Sequence, residues 1–263
     1  MLILGSTINY NKSQIPAPAE DAFVTFSSET PFSVNIYDQI VWDGTVEYST
    51  DKETWTTWDG TSVNSNARNE IYFRGSNNTV FSGENANGFE FSEGADITIT
   101  GNLENLLDYE TVMAGNHPPM AEYCFAGCFF GQGGLLTTGE LGGTTLAPYC
   151  YHGMYQGFAI TKLQALPILP ALNMAEGCYE EMFEVIDGGY SSIKLSETQT
   201  GLYVNEFRIP SSGVGDATGA SNWNEGMFNG SSGTFTGNPQ LNTTYYYYME
   251  EPGPEPDEGE PEE

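Results

Sequence analysis

The chain has 263 residues, enough for one large domain or two ordinary ones, and only 16% of them are charged. Its 31 glycines and 13% aromatic residues indicate many turns and strands rather than long surface helices. The formal net charge is −29, with seven Lys and Arg against 36 Asp and Glu. Such a surface repels nucleic-acid phosphates and anionic lipid head groups, so we expect neither nucleic acid nor a membrane as a partner.

Residues 1–20 predict an N-terminal arm. Their apolar run ends after four residues and no basic residue precedes it, so the segment lacks the pattern of a secretion signal. Residues 21–101 predict a small β-sandwich, because short alternating segments follow one another between turn residues. These segments are 22–27, 32–37, 44–50, 70–75, 88–92 and 96–101. Trp42, Trp55 and Trp58 are expected to supply its core and one face.

Residues 102–248 predict a solenoid. After a short helix near 102–110, one motif recurs as AEYCFAGCFFG (121–131), APYCYHGMYQG (147–157) and AEGCYEEMFEV (175–185). Its cysteines are 26 and 28 residues apart, a period typical of leucine-rich repeats, in which each unit supplies a strand and a helix or 3₁₀ turn. The predicted strands are 135–141, 160–166 and 192–198.

The C-terminal part of this region is less regular. Residues 222–238 resemble a fourth, degraded unit with Trp223 at the cysteine position, after an insertion around 199–221. Residues 241–248 predict a final edge strand. Residues 249–263 form an acidic, Pro-rich tail that holds eight of the 36 acidic residues.

The recurring cysteines have three interpretations: a reactive thiol, a metal site or a repeated core. Cysteines in successive units do not converge on one ion, C-x₂-C spacing is absent, and only His117 and His152 could assist. A free cysteine behaves as a small hydrophobic residue, which favours the core interpretation. The predicted core ladder consists of Cys124, Cys150, Cys178, Met154, Met182 and Met227.

No other pattern assigns a catalytic residue, a cofactor or a metal ligand. A carboxylate pair for glycoside hydrolysis cannot be picked out of 36 acidic residues, and a solvated acidic surface explains them more simply. The segment ENANG (84–88) is similar to a calcium loop, but Ala86 stands where an oxygen ligand should be. Calcium binding therefore stays an open prediction that rests only on the acidity of the chain.

The segment 120–188 resembles the BspA-like leucine-rich repeats. GTTLAPYCYHGMYQG (143–157) and LPILPALNMAEGCYEEMF (166–183) match the family motif well, whereas CFAGCFFG and WNEGMFNG match it loosely. The resemblance extends over residues 40–240, but the chain has few units and lacks the usual GCTSL after each motif. It implies a cell-surface adhesin, or a related protein of phages that infect gut bacteria, and it carries over no catalytic residue.

The sequence therefore predicts a mixed α and β protein, with an N-terminal β-sandwich followed by a short solenoid of BspA type. The expected function is non-enzymatic: a virion fibre or decoration protein, forming homo-oligomers, that contacts virion proteins and attaches to a host-surface glycan or protein. The alternatives are a bacterial cell-surface adhesin and, more remotely, a carbohydrate-active enzyme. Outward-pointing strand residues are the candidate binding surface: Thr137, Thr161 and Lys194.

Overall fold

The computed structural model describes residues 23–86, 88–157, 161–186, 191–235 and 237–250. Within them the chain forms one α-helix, α1 (Asn105–Met113), and twelve β-strands. The strands are β1 (Val24–Ser27), β2 (Ser33–Ile36), β3 (Thr45–Ser49), β4 (Thr56–Thr57), β5 (Val63–Asn64), β6 (Glu70–Ser76), β7 (Phe89–Phe91), β8 (Thr98–Thr100), β9 (Ile193–Ser196), β10 (Asn205–Arg208), β11 (Ser232–Gly233) and β12 (Thr244–Met249). No helix in the described part is long and apolar enough to cross a membrane.

Two antiparallel sheets form the N-terminal part. The five-stranded sheet has the order β4-β3-β6-β1-β8, and the three-stranded sheet has the order β5-β2-β7. Alternation along β1 turns Val24 and Phe26 inward, as the sequence pattern predicts. The ring of Phe26 contacts Phe89 of the other sheet at 4.7 Å between centroids. Trp58 is buried in the same core, whereas Trp55 packs on the guanidinium of Arg74.

Four layers follow the N-terminal sheets. We define them as residues 121–131, 147–157, 175–185 and 220–230. In the first layer Tyr123, Gly127 and Gly131 have φ of 56°, 55° and 71°, and the matching positions of the other layers also have positive φ except Val185. A positive φ at every fourth residue is incompatible with an α-helix. Each layer is therefore a run of consecutive turns.

The amide groups of each layer alternate between two kinds of partner. Ala126 N–H donates to the carbonyl of Tyr123 within the layer at 3.2 Å, and Phe125 N–H donates to Cys150 of the next layer at 2.7 Å. The same alternation joins the second layer to the third and the third to the fourth; for example, Tyr179 N–H donates to Trp223 at 2.7 Å. Every second amide thus binds one layer to the next, as in a β-ladder.

The side chains of the layers form buried columns. The rings of Phe129, Tyr155, Phe183 and Phe228 stack at 5.6, 5.6 and 5.2 Å, with planes within 12° of one another. A second column contains Phe125, Tyr151 and Tyr179. All six residues of the predicted core ladder are fully buried: Cys124, Cys150, Cys178, Met154, Met182 and Met227.

A mixed four-stranded sheet, with the order β10-β12-β9-β11, lies beyond the last layer. Phe207 of β10 contacts Phe228 of the fourth layer at 5.4 Å, and Asn224 of that layer donates to the carbonyl of Pro239 at 2.6 Å. At the other end Phe89 N–H donates to Cys128 of the first layer at 2.9 Å. The stack is thus covered by sheet structure at both ends.

The predicted fold class is wrong. In the described residues the regular secondary structure is mostly β-sheet with one short helix, rather than a β-sandwich followed by a leucine-rich-repeat solenoid with helices. The positive φ values turn the expected repeat helices into turns. The described residues of the expected strands, 135–141 and 161–166, do not form strands either, and Leu135 and Glu140 make only isolated bridges. The N-terminal sheets are not a separate sandwich, because their core is continuous with that of the layers.

Other segments are placed differently from the predictions. The expected edge strand 241–248 corresponds to β12, which pairs with β10 on one side and β9 on the other. The insertion around 199–221 supplies β10, and the expected strand 192–198 contains β9. The N-terminal arm (1–20) and the tail beyond Glu250 lie outside the described residues. The proposed domain boundaries stay a prediction.

Candidate binding surfaces

The three residues predicted to form a binding surface use their polar atoms within the fold. Thr137 Oγ1 accepts a hydrogen bond from Ile99 N–H at 2.7 Å and lies 2.7 Å from the Ile99 carbonyl, beside β8. Thr161 Oγ1 donates to the carbonyl of Gly133 at 3.1 Å. The side chain of Lys194 is 13% exposed, and its Nζ lies 2.9 Å from Glu250 Oε2. Each side chain thus ties neighbouring segments together.

The cysteines are placed as core residues. All four are free and buried. Burial raises the pKa of Cys124, Cys128 and Cys150 well above the ordinary value, and it raises the pKa of Cys178 to about 12. Because the thiolate is the nucleophile and the metal ligand, these environments suppress both chemistries.

One long side of the stack is rich in carboxylates. We call this the carboxylate face and define it by His152, Glu176, Glu180, Glu181 and Glu184. His152 Nδ1 lies 3.9 Å from Glu180 Oε2, and Nε2 lies 3.8 Å from Glu181 Oε2. Gln156 of the second layer donates to Glu181 at 3.0 Å and to Glu184. The second and third layers are therefore joined by side chains on their outer surface as well as by their backbones.

Neighbouring groups on the carboxylate face shift the pKa of Glu180. Burial raises the pKa of Glu180, and the neighbouring Glu181, Glu225 and Glu176 raise it further, whereas His152 lowers it. Glu181 has φ of 55° at the position that is glycine in the other three layers. The third layer thus carries a charged side chain where the others have none.

Two tyrosines border this face. The rings of Tyr123 and Tyr149 stack at 4.9 Å with an angle of 11°, and both residues are half-buried. Burial and the surrounding glutamates raise the pKa of both phenols. Gly177 continues the column, and a Cβ at this position would overlap the ring of Tyr149. The tyrosine pair therefore depends on a glycine in the next layer.

No group of three or more His, Cys, Asp or Glu side chains in the described ranges is placed to hold a metal ion. In the segment predicted as similar to a calcium loop, Ala86 has φ of 54°, and Asn87 lies outside those ranges. Calcium binding therefore stays a prediction.

A scan of protein-family models found no match, and searches of curated proteins and of solved structures found no significant match.

Sequence reasoning missed the carboxylate face and the tyrosine pair. The signal was present, since 122, 148, 176 and 221 are matching positions, and so are 126, 152, 180 and 225. Either backbone returns to the same side after four residues, but only layers stacked in register bring the matching positions of successive layers together in columns. The missing information was the sign of φ at Tyr123, Tyr149 and Glu181.

Proposed function

We propose that this chain is a non-enzymatic attachment protein displayed on a virion, where it binds a host-surface glycan or protein. The proposal rests on one observation, which is that the stack of four layers is covered at both ends. Sheets cover both of its ends, so its long sides are the surfaces it offers to a partner.

The packing of the stack supports a display function. Aromatic columns and inter-layer backbone bonds run through all four layers, which gives a stiff body with preorganised outer positions. A rigid surface loses little conformational entropy when it binds, so weak contacts contribute more of their energy to affinity.

The side chains on the outer surface of the stack support a binding function rather than a purely structural one. The carboxylate face combines acceptors with the stacked rings of Tyr123 and Tyr149, and tyrosine is enriched at recognition surfaces. The similarity of the layer motif to BspA-like surface proteins agrees with this, although the layers lack the predicted repeat helices.

A bacterial cell-surface adhesin is the second candidate, favoured by the composition of residues 249–263. A composition rich in Pro and Glu is typical of linkers.

Mass spectrometry of purified phage particles and of host envelope fractions tests both candidates. Recovery of the chain at a fixed stoichiometry with capsid or tail proteins supports the virion proposal. Recovery only with envelopes supports the adhesin, and recovery only from the soluble lysate contradicts both.

A further inference from the structure

A groove of about 310 Å³ lies between the N-terminal sheets and the end of the first layer. One wall is the segment 91–97, from the last residue of β7 to the residue before β8, and the other is the segment 131–134, which begins with the last residue of the first layer. Lys162, which follows the second layer, also lines the groove. This volume lies at the small end of the range for small-molecule sites.

Polar contacts fix the separation of the walls. Gln132 Oε1 accepts a hydrogen bond from Phe91 N–H at 3.1 Å, and Ile97 N–H donates to the carbonyl of Gly134 at 2.7 Å. Lys162 Nζ lies 2.7 Å from Asp96 Oδ1. Because side chain and backbone both connect the two segments, the groove is a formed feature of the fold.

Donors and acceptors line this groove together. The amides of Gly133 and Gly134 donate to no partner within the described ranges. Glu93 is exposed, whereas the ring of the half-buried Phe91 packs on Phe26 and Phe32 of the N-terminal core. The space around Gly94 and Gly131 is open, since a Cβ at either residue would have no neighbour within 4 Å. A ligand could therefore approach the backbone on both walls.

The charges select against ionic ligands. Glu93 and Asp96, together with the net charge of −29, repel an anion. A cation would compete with Lys162 for Asp96, at an ion pair already formed at 2.7 Å. A hydroxyl can donate one hydrogen bond and accept two, so a neutral polyol can use both the amides and the carboxylates.

We propose that this groove binds an uncharged saccharide, with Gly133, Gly134, Glu93 and Lys162 contacting its hydroxyl groups. The inference deepens the proposed attachment function and rests on it only for the biological setting of the ligand. It assigns no role to the carboxylate face.

The test uses the full chain in solution. Methyl glycosides of glucose, galactose, mannose and N-acetylglucosamine serve as neutral probes, and N-acetylneuraminic acid is the anionic probe. Calorimetry and amide-resolved NMR are expected to show saturable binding of at least one neutral probe, with a dissociation constant on the order of 1 mM. The amide resonances of Gly133 and Gly134 shift in that titration.

Matched variants locate the binding. Glu93→Gln and Lys162→Ala are expected to weaken it about tenfold or more, because each removes a charge-assisted hydrogen bond. Glu29→Gln and Arg68→Ala change the net charge equally at exposed positions outside the groove, and they retain wild-type binding.

Three results overturn the inference: no neutral probe binds up to about 50 mM, the anionic probe binds in preference, or both groove variants bind like the wild type. If the chain is recovered from phage particles but its groove binds no glycoside, the groove inference fails and the attachment proposal stands. If the chain binds a glycoside but is found in neither particles nor envelopes, the groove inference stands and the attachment proposal fails.

Discussion

Tyr155 and Phe183 lie in successive layers with their rings 5.6 Å apart and only 5° from parallel. Tyr155 is also fully buried, and its hydroxyl donates to the carbonyl of Thr138 at 2.7 Å. One side chain therefore joins the aromatic column to the segment after the first layer.

Tyr155→Ala is expected to lower the free energy of unfolding by about 3–5 kcal/mol, because it opens a cavity in the column. Tyr155→Phe keeps the ring and removes the donor to Thr138, for an expected loss of about 1 kcal/mol. Urea denaturation measures both. Tyr37→Phe is the control, since Tyr37 is 69% exposed and the change should have no effect. Equal losses for the two Tyr155 variants would contradict a role for the ring stack.

Gly177→Ala is expected to destabilise the chain by about 2–4 kcal/mol, because the added methyl group meets the ring of Tyr149. Gly177 also has φ of 54°, so part of the loss reflects the backbone conformation. Gly115→Ala separates the two causes: Gly115 has φ of 76°, and a Cβ there has no neighbour within 4 Å. We expect a loss of about 1 kcal/mol for this control. If both variants lose the same amount in thermal denaturation, the contact with Tyr149 is unimportant.

Glu180→Gln is expected to stabilise the chain at neutral pH. Burial, Glu181, Glu225 and Glu176 raise the pKa of this carboxyl above the ordinary value of 4.5, against the opposing effect of His152. An acid with a raised pKa binds its proton more tightly in the folded state, so its unfavourable contribution develops as the pH rises from 4.5 through the folded-state pKa.

The advantage of Glu180→Gln over the wild type should therefore vanish below pH 4.5. Denaturant titrations at several pH values measure it, with the exposed Glu29→Gln as the control. A difference that does not depend on pH would show that the amide acts through packing rather than charge.

The four thiols are expected to resist iodoacetamide in the native protein and to react once guanidinium unfolds it, because all four are buried and burial raises their pKa. Cys150→Ser should lower the free energy of unfolding by about 1–3 kcal/mol, since it places a hydroxyl in an apolar column. Intact-protein mass spectrometry counts the modified residues. Rapid alkylation of any thiol in the native state would contradict the packing of the layers.

The sequence was sufficient to identify which residues recur, but not the backbone that presents them. Cys150 and Met154 stand at the right spacing for one side of a helix, and they are also buried in a run of turns, because both geometries return to the same side after four residues. The distinction depends on Tyr149 and Glu181, which adopt positive φ although neither is glycine. Single-residue preferences argue against that conformation, and the hydrogen bonds between layers compensate for it.

The candidate surfaces were harder to predict than the core. Thr137 was expected to point outward along a strand, yet its hydroxyl pairs with the backbone of Ile99. The groove combines segments from either side of α1 that are far apart in sequence, such as Phe91 and Gln132. Neither relationship follows from local periodicity, because both depend on how the first layer meets the N-terminal sheets.

The repeated spacing of the layers makes the stack a molecular spacer whose length is counted in whole steps. Successive rings in the Phe129 column are 5.2–5.6 Å apart, so three steps separate the first layer from the fourth. Removing or duplicating one complete layer should move the two terminal sheets by one such step and leave their surfaces unchanged. A chain of this design can set the separation of its two end surfaces by the number of layers it encodes.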